Sequence, residues 1–398
     1  MGIYINKGNE GFKRALNSDY VDKTAMIEVI NKTLETERSF TCVTRCRRFG
    51  KSMAAKMLCA YYDKSCDSRH LFAGLAVEKC PTFEQHLNKY PVIYLDLTEF
   101  ITRYSHDGQM VMHIQRNIMN ELHEVYPEVK AKEDDDLMEL LIRIHLYNGE
   151  KFIMLIDEWD AICREFTGDR SVMDEYVNLL RRLFKGGSSA DVFAGAYMTG
   201  ILPIKKYNTQ SALNNFEEYS MVDPANLAGF FGFTPQEVKA LAEKYGSDID
   251  ELKTWYDGYK IGNEPSIYNP YSIMKAVLRG SYTSYWSSTS AYDSISTYIQ
   301  MNFDGLKDDI IKMLAGERCS VDTTGFTNDL HDIRTKDDVF TVLIHLGYLA
   351  YDNDKNECFV PNKEVRMELA NAVKGCKWKV AQALEESQTA LSYHARMH

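Results

Sequence analysis

The sequence predicts an α/β protein whose main domain is a parallel β-sheet flanked by helices. Short runs of apolar, β-branched and aromatic residues alternate along the first half of the chain with segments of helical periodicity. One run, residues 152–156, is apolar at every position, which is typical of a strand covered on both faces. Strands that alternate with helices in this way form layered folds with a parallel sheet.

Each element of the first half is predicted from its own pattern. The helix at 26–37 and the helix from Lys51 to about Asp63 each carry one apolar face. Pro91 suits the first position of a strand, where its missing N–H is tolerated. The charged run at 130–136 is interpreted as a solvated loop rather than a binding segment. In chain order, the remaining elements are strands at 40–44 and 91–97, helices near 109–125 and 137–146, a strand at 152–156, a helix at 174–185 and a strand at 192–199.

The pattern changes after about Pro203, and three domains are predicted: a core at 1–203, a helical lid at 204–300 and a C-terminal module at 301–398. The lid segment is rich in Tyr, Ser and Asn and is expected to be mostly helical. Its aromatic stretch at 282–298 is interpreted as lid core, with a base-stacking surface as the alternative. In the last segment, an apolar helix at 338–351, a turn and a returning strand at 358–360 suggest a winged-helix-like fold.

Composition narrows the class of protein. The chain has 398 residues, of which 45% are hydrophobic and 26% charged, so two or three packed domains are expected. A net charge of -11 does not favour non-specific binding to nucleic acid. The nine cysteines lack the spacing of a zinc site, and no apolar stretch suits a signal peptide or a membrane span. We therefore expect a reduced, cytoplasmic protein without a membrane partner.

The first candidate site is the loop between the strand at 40–44 and the helix that follows it. Residues 45–52 read Arg-Cys-Arg-Arg-Phe-Gly-Lys-Ser, close to the pattern G-x-x-x-x-G-K-[ST] of a phosphate-binding P-loop. The N–H groups of such a loop surround phosphates, the lysine reaches the β- and γ-phosphates and the serine ligates Mg²⁺. The predicted ATP-binding residues here are Arg47, Arg48, Phe49, Gly50, Lys51 and Ser52. Because Arg45 replaces the first glycine, a basic helix cap with an incidental Gly-Lys-Ser remains the alternative.

The second candidate site is the end of the strand at 152–156. Asp157 and Glu158 follow that strand and resemble a Walker B motif, in which the aspartate holds Mg²⁺ opposite Ser52 and the glutamate acts as general base. The strand at 91–97 lies between the two motifs in the chain, an order that suits ATPases with a strand inserted between the motif-bearing strands. Thr199, at the end of the last strand, is the candidate sensor of the γ-phosphate. A solvated acidic turn and a simple strand-end hydroxyl are the alternatives.

Arg181 and Arg182 lie on the polar side of the helix at 174–185. Either could act as an arginine finger across the interface of a homo-oligomer. The alternative is a solvated helix face.

Together these segments resemble the bacterial AAA-ATPase-like family, which is related to the STAND and archaeal-type P-loop ATPases. The resemblance covers roughly residues 3–370 and implies that an arginine at the first P-loop position is usual, although Cys46 stands where the family has proline. It also implies that Asp22 and Lys23 lie near the nucleotide, with a structural ion pair as the alternative. The matching segments are NKGNEGF, YVDKT, RCRRFGKS, HLNKYPVIYLD, LIDEWD, YMTGILPIKKY, WYDGY, YNPYS and IHLGYLAY with FVPNKEV.

Members of this family often continue into a nuclease-like domain of the PD-(D/E)XK type. We find no such carboxylate pair and lysine after residue 370, and nuclease activity is not expected of this chain. The leading hypothesis is a Mg²⁺-dependent ATPase whose conformational changes control a partner or an adjoining nuclease-like domain. The alternatives are a non-hydrolysing nucleotide switch or scaffold, and a DNA-associated protein of defence or mobile-element systems. ATP is preferred to GTP because no motif reads a guanine base.

Overall fold

The computed structural model describes residues 2–105, 108–130, 132, 135–166, 170–204, 206–207, 210–211, 213–286, 296–301 and 303–375. The chain divides into two compact units. Unit 1 comprises Met1–Phe231 and Thr327–Asp332, and unit 2 comprises Gly232–Phe326 and Ile333–His398. The finer division into core, lid and C-terminal module stays a prediction.

A five-stranded sheet forms the centre of unit 1. In order across the sheet, its strands begin at Val92, Phe152, Phe193, Phe40 and Glu217, and all neighbours are parallel. The α/β class and the parallel sheet flanked by helices are therefore confirmed. The strands of unit 1 are β1 (Phe40–Thr44), β2 (Val92–Asp96), β3 (Phe152–Asp157), β4 (Phe193–Gly200), β5 (Lys206–Tyr207), β6 (Gln210–Ser211) and β7 (Glu217–Tyr219).

The strand order corrects one detail of the sequence argument. A strand does lie between the two motif-bearing strands β1 and β3, but it is β4 rather than β2. The strand that separates the motifs in the chain, β2, lies at the edge of the sheet. This arrangement brings the ends of β1, β3 and β4 side by side, because parallel strands end at the same edge of a sheet.

Helices cover both faces of this sheet, since β1, β3 and β4 are buried along their whole length. The predicted helix at 26–37 ends early, at Asn31. Beyond that residue, the Thr33 hydroxyl donates to the Ile30 carbonyl and the Thr36 hydroxyl donates to the Thr33 carbonyl. Such side-chain hydrogen bonds compete with those of a helix, and the chain continues in turns. The helices of unit 1 are α1 (Glu10–Leu16), α2 (Met26–Asn31), α3 (Lys51–Tyr62), α4 (Arg69–Phe72), α5 (Phe83–His86), α6 (Leu97–Tyr104), α7 (Met110–Val125), α8 (Leu137–Asn148), α9 (Ala161–Glu165), α10 (Arg170–Phe184) and α11 (Ser189–Val192).

The N-terminal segment closes the β2 edge of the sheet. Ile5 forms an antiparallel bridge to Ile93. The Glu121 carboxylate accepts hydrogen bonds of 2.8 Å from the N–H groups of Ile3, Tyr4 and Ile5. Covering an edge strand in this way removes an exposed row of hydrogen-bonding groups.

Unit 2 combines helices with two small antiparallel sheets. A helix and a hairpin do occur where the sequence suggested them, but the helix expected at 338–351 ends at Leu346, because Gly347 with φ +88° terminates it, and Ala350–Asp352 is the first strand of the hairpin. A second hairpin, Tyr259–Ile261 with Glu264–Ile267, lies in the segment expected to be helical and was missed. The elements of unit 2 are α12 (Pro235–Tyr245), α13 (Ile249–Tyr256), β8 (Tyr259–Ile261), β9 (Glu264–Ile267), α14 (Pro270–Arg279), α15 (Leu306–Leu314), β10 (Cys319–Ser320), α16 (Lys336–Leu346), β11 (Ala350–Asp352), β12 (Glu357–Phe359) and α17 (Lys363–Gly375).

The C-terminal sequence motifs meet one another inside unit 2. The Asn362 amide donates to the Asp257 carbonyl at 2.8 Å, and the Tyr259 hydroxyl donates to the Gly347 carbonyl at 2.7 Å. A Cβ built on Gly258 would lie 1.9 Å from the Pro361 carbonyl oxygen, so only glycine fits there. These motifs therefore have a structural role within unit 2.

Two further expectations concern surfaces. Tyr285 and Trp286 are buried, as a packed core requires, while 287–295 of the aromatic stretch lie outside the described residues. No helix in the described ranges is long and apolar enough to span a bilayer.

Candidate nucleotide-binding site

The loop at 45–50 turns sharply between β1 and α3. Gly50, the residue before the helix, has φ +92°, and Arg48 has φ +70°. A Cβ on Gly50 would meet no atom within 4 Å, so it is the left-handed backbone that favours glycine there. No side chain caps the start of α3. The first N–H groups of this twelve-residue helix are therefore available to an anion, as a P-loop requires.

Lys51 lies folded back over this loop. Its side chain is only 4% exposed. The Nζ atom donates to the Cys46 carbonyl at 3.2 Å and lies 3.5 Å from Oε1 of Glu158. The lysine is thus shared between the loop and the acidic end of β3.

Asp157 lies near Ser52, the other residue that was predicted to hold a metal ion. It ends β3, is buried, and lies beside Asp96 of β2 in the register of the sheet. The Ser52 hydroxyl lies close enough to this carboxylate to stabilise its charged form, and Thr199 Oγ1 lies 3.3 Å from Oδ1. Ser52, Asp157 and Thr199, from α3, β3 and β4, therefore lie close together, and their roles toward Mg²⁺ and the γ-phosphate stay predictions.

The electrostatics of Asp157 test whether the site suits a cation. Burial raises the pKa of this carboxyl to about 6, and the nearby Ser52 hydroxyl offsets only part of that effect. A buried carboxylate that is unfavourable in its charged form gains from a nearby positive charge. Hydroxyl and carboxylate oxygens are also the ligands that Mg²⁺ prefers, usually together with water. Within the described ranges no cluster of three or more His, Cys, Asp or Glu side chains offers a denser metal site.

Tyr94 is a part of this site that the sequence analysis missed. It lies on β2, and its hydroxyl is near enough to Asp157 for that carboxylate to affect the pKa of the phenol. Burial, with the charge of Asp157 next, raises the pKa of Tyr94, so the phenol keeps its proton. Lys7 of the N-terminal segment lies 4.6 Å above the tyrosine ring. The edge strand thus places a protonated phenol near the metal-binding candidate.

Glu158 lies between two cations. Its backbone has φ +54°, a conformation that is uncommon outside glycine. In addition to Lys51, it contacts Arg164, whose Nη2 donates to Oε2 at 2.6 Å. Arg164 Nε also donates to Asp160 at 2.9 Å. Sequence reasoning missed Asp160 and Arg164, although their spacing of four residues on one short helix was a signal.

Under the DNA-associated alternative, Arg45 would contact DNA together with Arg47 and Arg48, and the structure shows this to be wrong for Arg45. Arg45 is fully buried, and its guanidinium donates to the carbonyls of Thr44, Tyr219, Ser220 and Leu227 at 2.7 to 3.3 Å. The residue in place of the first P-loop glycine therefore holds β7 and the segment after it onto the loop.

The other loop residues divide by exposure. Phe49 is buried in the core, whereas Arg47 and Arg48 are half-buried. Only these two arginines of the loop are positioned at the surface. Their contact with phosphate stays a prediction.

Asp22 and Lys23 each have partners within unit 1. Asp22 accepts from the Thr24 N–H and hydroxyl and from the Ala76 N–H at 2.7 to 2.8 Å. Lys23 Nζ donates to the Gly229 carbonyl at 2.9 Å. Their proximity to a nucleotide stays a prediction.

Arg181 and Arg182 lie in the last turn of α10. Arg181 is half-buried, and Arg182 Nε lies 3.8 Å from Oδ2 of Asp136, the residue that caps α8. The role of either as an arginine finger stays a prediction.

The chain is similar to one curated protein in sequence and to several solved structures in fold. An uncharacterised protein encoded in the vnfD 5′ region of Azotobacter chroococcum mcd 1 is 25% identical over 276 residues, which cover 68% of this chain and 50% of that protein. The chain thus spans about half the length of this curated relative. A Walker-type ATPase of Pyrococcus abyssi superposes with a TM-score of 0.41 at 13% identity, covering 87% of this chain and 94% of that one. The ORC2 protein of Aeropyrum pernix, solved as ADPNP–ADP complexes, gives 0.40 at 10% identity, with 91% and 98% covered. Neither score is high enough to carry a property of those proteins to this chain.

A family model described as a predicted AAA-ATPase matches residues 10–209. The matched region contains the phosphate loop, β3 with its acidic end, and β4 with Thr199. It covers half of the chain, and membership of such a family supports nucleotide binding. The chain belongs to the AAA-ATPase-like family.

Proposed function

We propose that this protein is a Mg²⁺-dependent ATPase. The observation that carries the proposal is the convergence of Lys51, Ser52, Asp157, Glu158 and Thr199 at one edge of the sheet, where nucleotides bind in open α/β folds. A phosphate-binding loop supports binding alone. A carboxylate beside the loop lysine adds the group that hydrolysis needs.

Each residue has a role in this proposal. The N–H groups at the start of α3 bind the β-phosphate, and Lys51 moves from the Cys46 carbonyl to the β- and γ-phosphates. Ser52 and Asp157 hold Mg²⁺, which neutralises phosphate charge when it is bound. Thr199 donates a hydrogen bond to the γ-phosphate, and Arg47 and Arg48 add positive charge at the mouth of the loop.

Glu158 is the proposed general base. It removes a proton from a water molecule as the water oxygen bonds to the γ-phosphorus. The bond from that phosphorus to the bridging oxygen breaks, and the electron pair leaves with ADP. The products are ADP and inorganic phosphate, and Glu158 returns its proton to solvent.

The wider activity is also a proposal. Nucleotide-driven changes in unit 1 would be passed through the lid and the C-terminal module to a partner or an adjoining nuclease-like domain. A slow switch is the second candidate, because two cations engage Glu158 in this structure. The DNA-associated alternative loses one of its proposed contacts, because Arg45 is buried.

The test is ATP hydrolysis by the purified chain with and without Mg²⁺, beside Lys51→Ala and Glu158→Gln. We expect both variants to lose about 100-fold or more in turnover, with ATP binding retained by Glu158→Gln and lost by Lys51→Ala. Arg69→Ala is the matched control, since it breaks an exposed pair with Glu84. Binding without hydrolysis in the wild type would favour the switch. A chain that binds no nucleotide would refute the proposal.

A further inference from the structure

Both carboxylate oxygens of Glu158 face a cation in this structure. Oε1 lies 3.5 Å from Lys51 Nζ, and Oε2 accepts from Arg164 at 2.6 Å. A general base needs a free oxygen to accept a proton from water. Lys51 cannot remain against Oε1 if it moves to a phosphate, because its Nζ is a single compact charge.

Arg164 is held in place by groups that do not depend on nucleotide. Its side chain is 10% exposed, and its Nε is paired with the fully buried Asp160. Asp160 in turn accepts from the N–H groups of Ile201 and Leu202, just beyond Thr199 at the end of β4. The base is therefore tied through Arg164 and Asp160 to the strand that carries the candidate γ-phosphate sensor.

We propose that Arg164 is a positioning residue that holds Oε2 of Glu158, while Lys51 blocks Oε1 until nucleotide draws the lysine to its phosphates. Nucleotide binding thus frees the oxygen that takes the proton from water. The left-handed backbone of Glu158 fits this arrangement, since such a conformation persists only where the surroundings fix it. The inference rests on the proposed ATPase function. It adds a reason why Glu158 acts as a base only when nucleotide is bound.

The experiment is a double-mutant cycle on ATP turnover with Arg164→Ala, Glu158→Gln and the two combined. Arg164→Ala should lower kcat by about 10- to 100-fold with KM changed by less than about threefold, because the base is misplaced and not the substrate. Arg164→Lys, which keeps one donor, should recover part of the loss. In the Glu158→Gln background, Arg164→Ala should change kcat by less than about threefold, since no base remains to be positioned.

Lys51 is tested by binding of a non-hydrolysable ATP analogue with Mg²⁺. Glu158→Gln should bind about two- to tenfold more tightly than the wild type, because the lysine is no longer held by a carboxylate. The control for both assays is Arg69→Ala, which should match the wild type.

The outcomes separate this inference from the proposed function. If the wild type does not hydrolyse ATP, the proposed function fails and this inference fails with it. If the wild type is active but the losses in kcat caused by Arg164→Ala and Glu158→Gln multiply in the double variant, only the positioning role is wrong. The same holds if Arg164→Ala changes KM rather than kcat. Unchanged or weaker analogue binding by Glu158→Gln would overturn the block by Lys51.

Discussion

Replacing Arg45 by glycine would restore the first residue of the common P-loop pattern, yet we expect it to destabilise the protein. The guanidinium is fully buried and donates to four backbone carbonyls from three parts of unit 1: the end of β1, the end of β7 with the residue after it, and the turn near Leu227. Glycine would leave these acceptors without a donor and a cavity in their midst.

The size of the effect follows from two opposing contributions. Hydrogen bonds to a charged group contribute about 1.5 to 3 kcal/mol each, and four are lost. Against this, burial lowers the pKa of Arg45 from 12.5 to about 10, which corresponds to about 3 kcal/mol of unfavourable free energy in the charged form. Water entering the cavity would recover part of the loss. We therefore expect Arg45→Gly to lower the free energy of unfolding by about 3 to 5 kcal/mol.

Urea unfolding followed by circular dichroism and tryptophan fluorescence would measure this loss. Arg47→Ala is the control, because it removes a half-buried arginine from the same loop and should cost less than about 1 kcal/mol. If Arg45→Gly unfolds within about 1 kcal/mol of the wild type, the buried guanidinium is not what holds these segments together, and the reasoning is refuted.

Two further predictions concern buried carboxylates whose pKa values are raised by burial. Asp157→Asn should raise the free energy of unfolding at pH 7 by up to about 3 kcal/mol, because burial raises the pKa of Asp157 from 3.8 to about 6. This gain in stability should shrink as the pH falls through 6. Urea unfolding of both proteins at pH 7 and pH 5 without Mg²⁺ measures it, and a difference that does not change with pH would contradict the prediction. Burial also raises the pKa of Glu364 from 4.5 to about 7, so the folded protein binds its proton more tightly and stability should fall as pH rises through about 7. Glu364→Gln should flatten this dependence in thermal unfolding, and an unchanged dependence in that variant would contradict the prediction.

The sequence was sufficient where a pattern is local. The strand at 40–44, Gly50 and the start of α3 at Lys51 follow from one run of residues, and the structure places each as predicted. Asp157 was found because a fully apolar strand must end at the edge of a parallel sheet. Asp157 and Thr199 lie close together because a parallel sheet aligns the ends of neighbouring strands, although the strand between the two motif-bearing strands is β4 rather than β2.

What the sequence could not provide depends on pairings between distant segments. Nothing local distinguishes Tyr94 from other aromatic residues in strands, and its contact with Asp157 exists only because β2 pairs with β3. Arg45 belongs to an arginine-rich loop that is expected at the surface, but the carbonyls after β7 draw it inward. Arg164 required knowing that the acidic turn and α9 fold back on each other.

Two charged side chains of this site, Lys51 and Asp157, would both be stabilised by the same ligand under the proposed function. The Lys51 ammonium donates to the Cys46 carbonyl and lies 3.5 Å from Oε1 of Glu158. Asp157 has hydroxyl partners in Ser52 and Thr199, and its raised pKa shows that its negative charge is unfavourable there. In the proposed function, the phosphates of ATP provide the anion for the lysine and the accompanying Mg²⁺ provides the cation for the aspartate. Under this proposal either component alone would meet only one of the two side chains, so we expect the site to bind the Mg²⁺–ATP complex more tightly than ATP or Mg²⁺ alone.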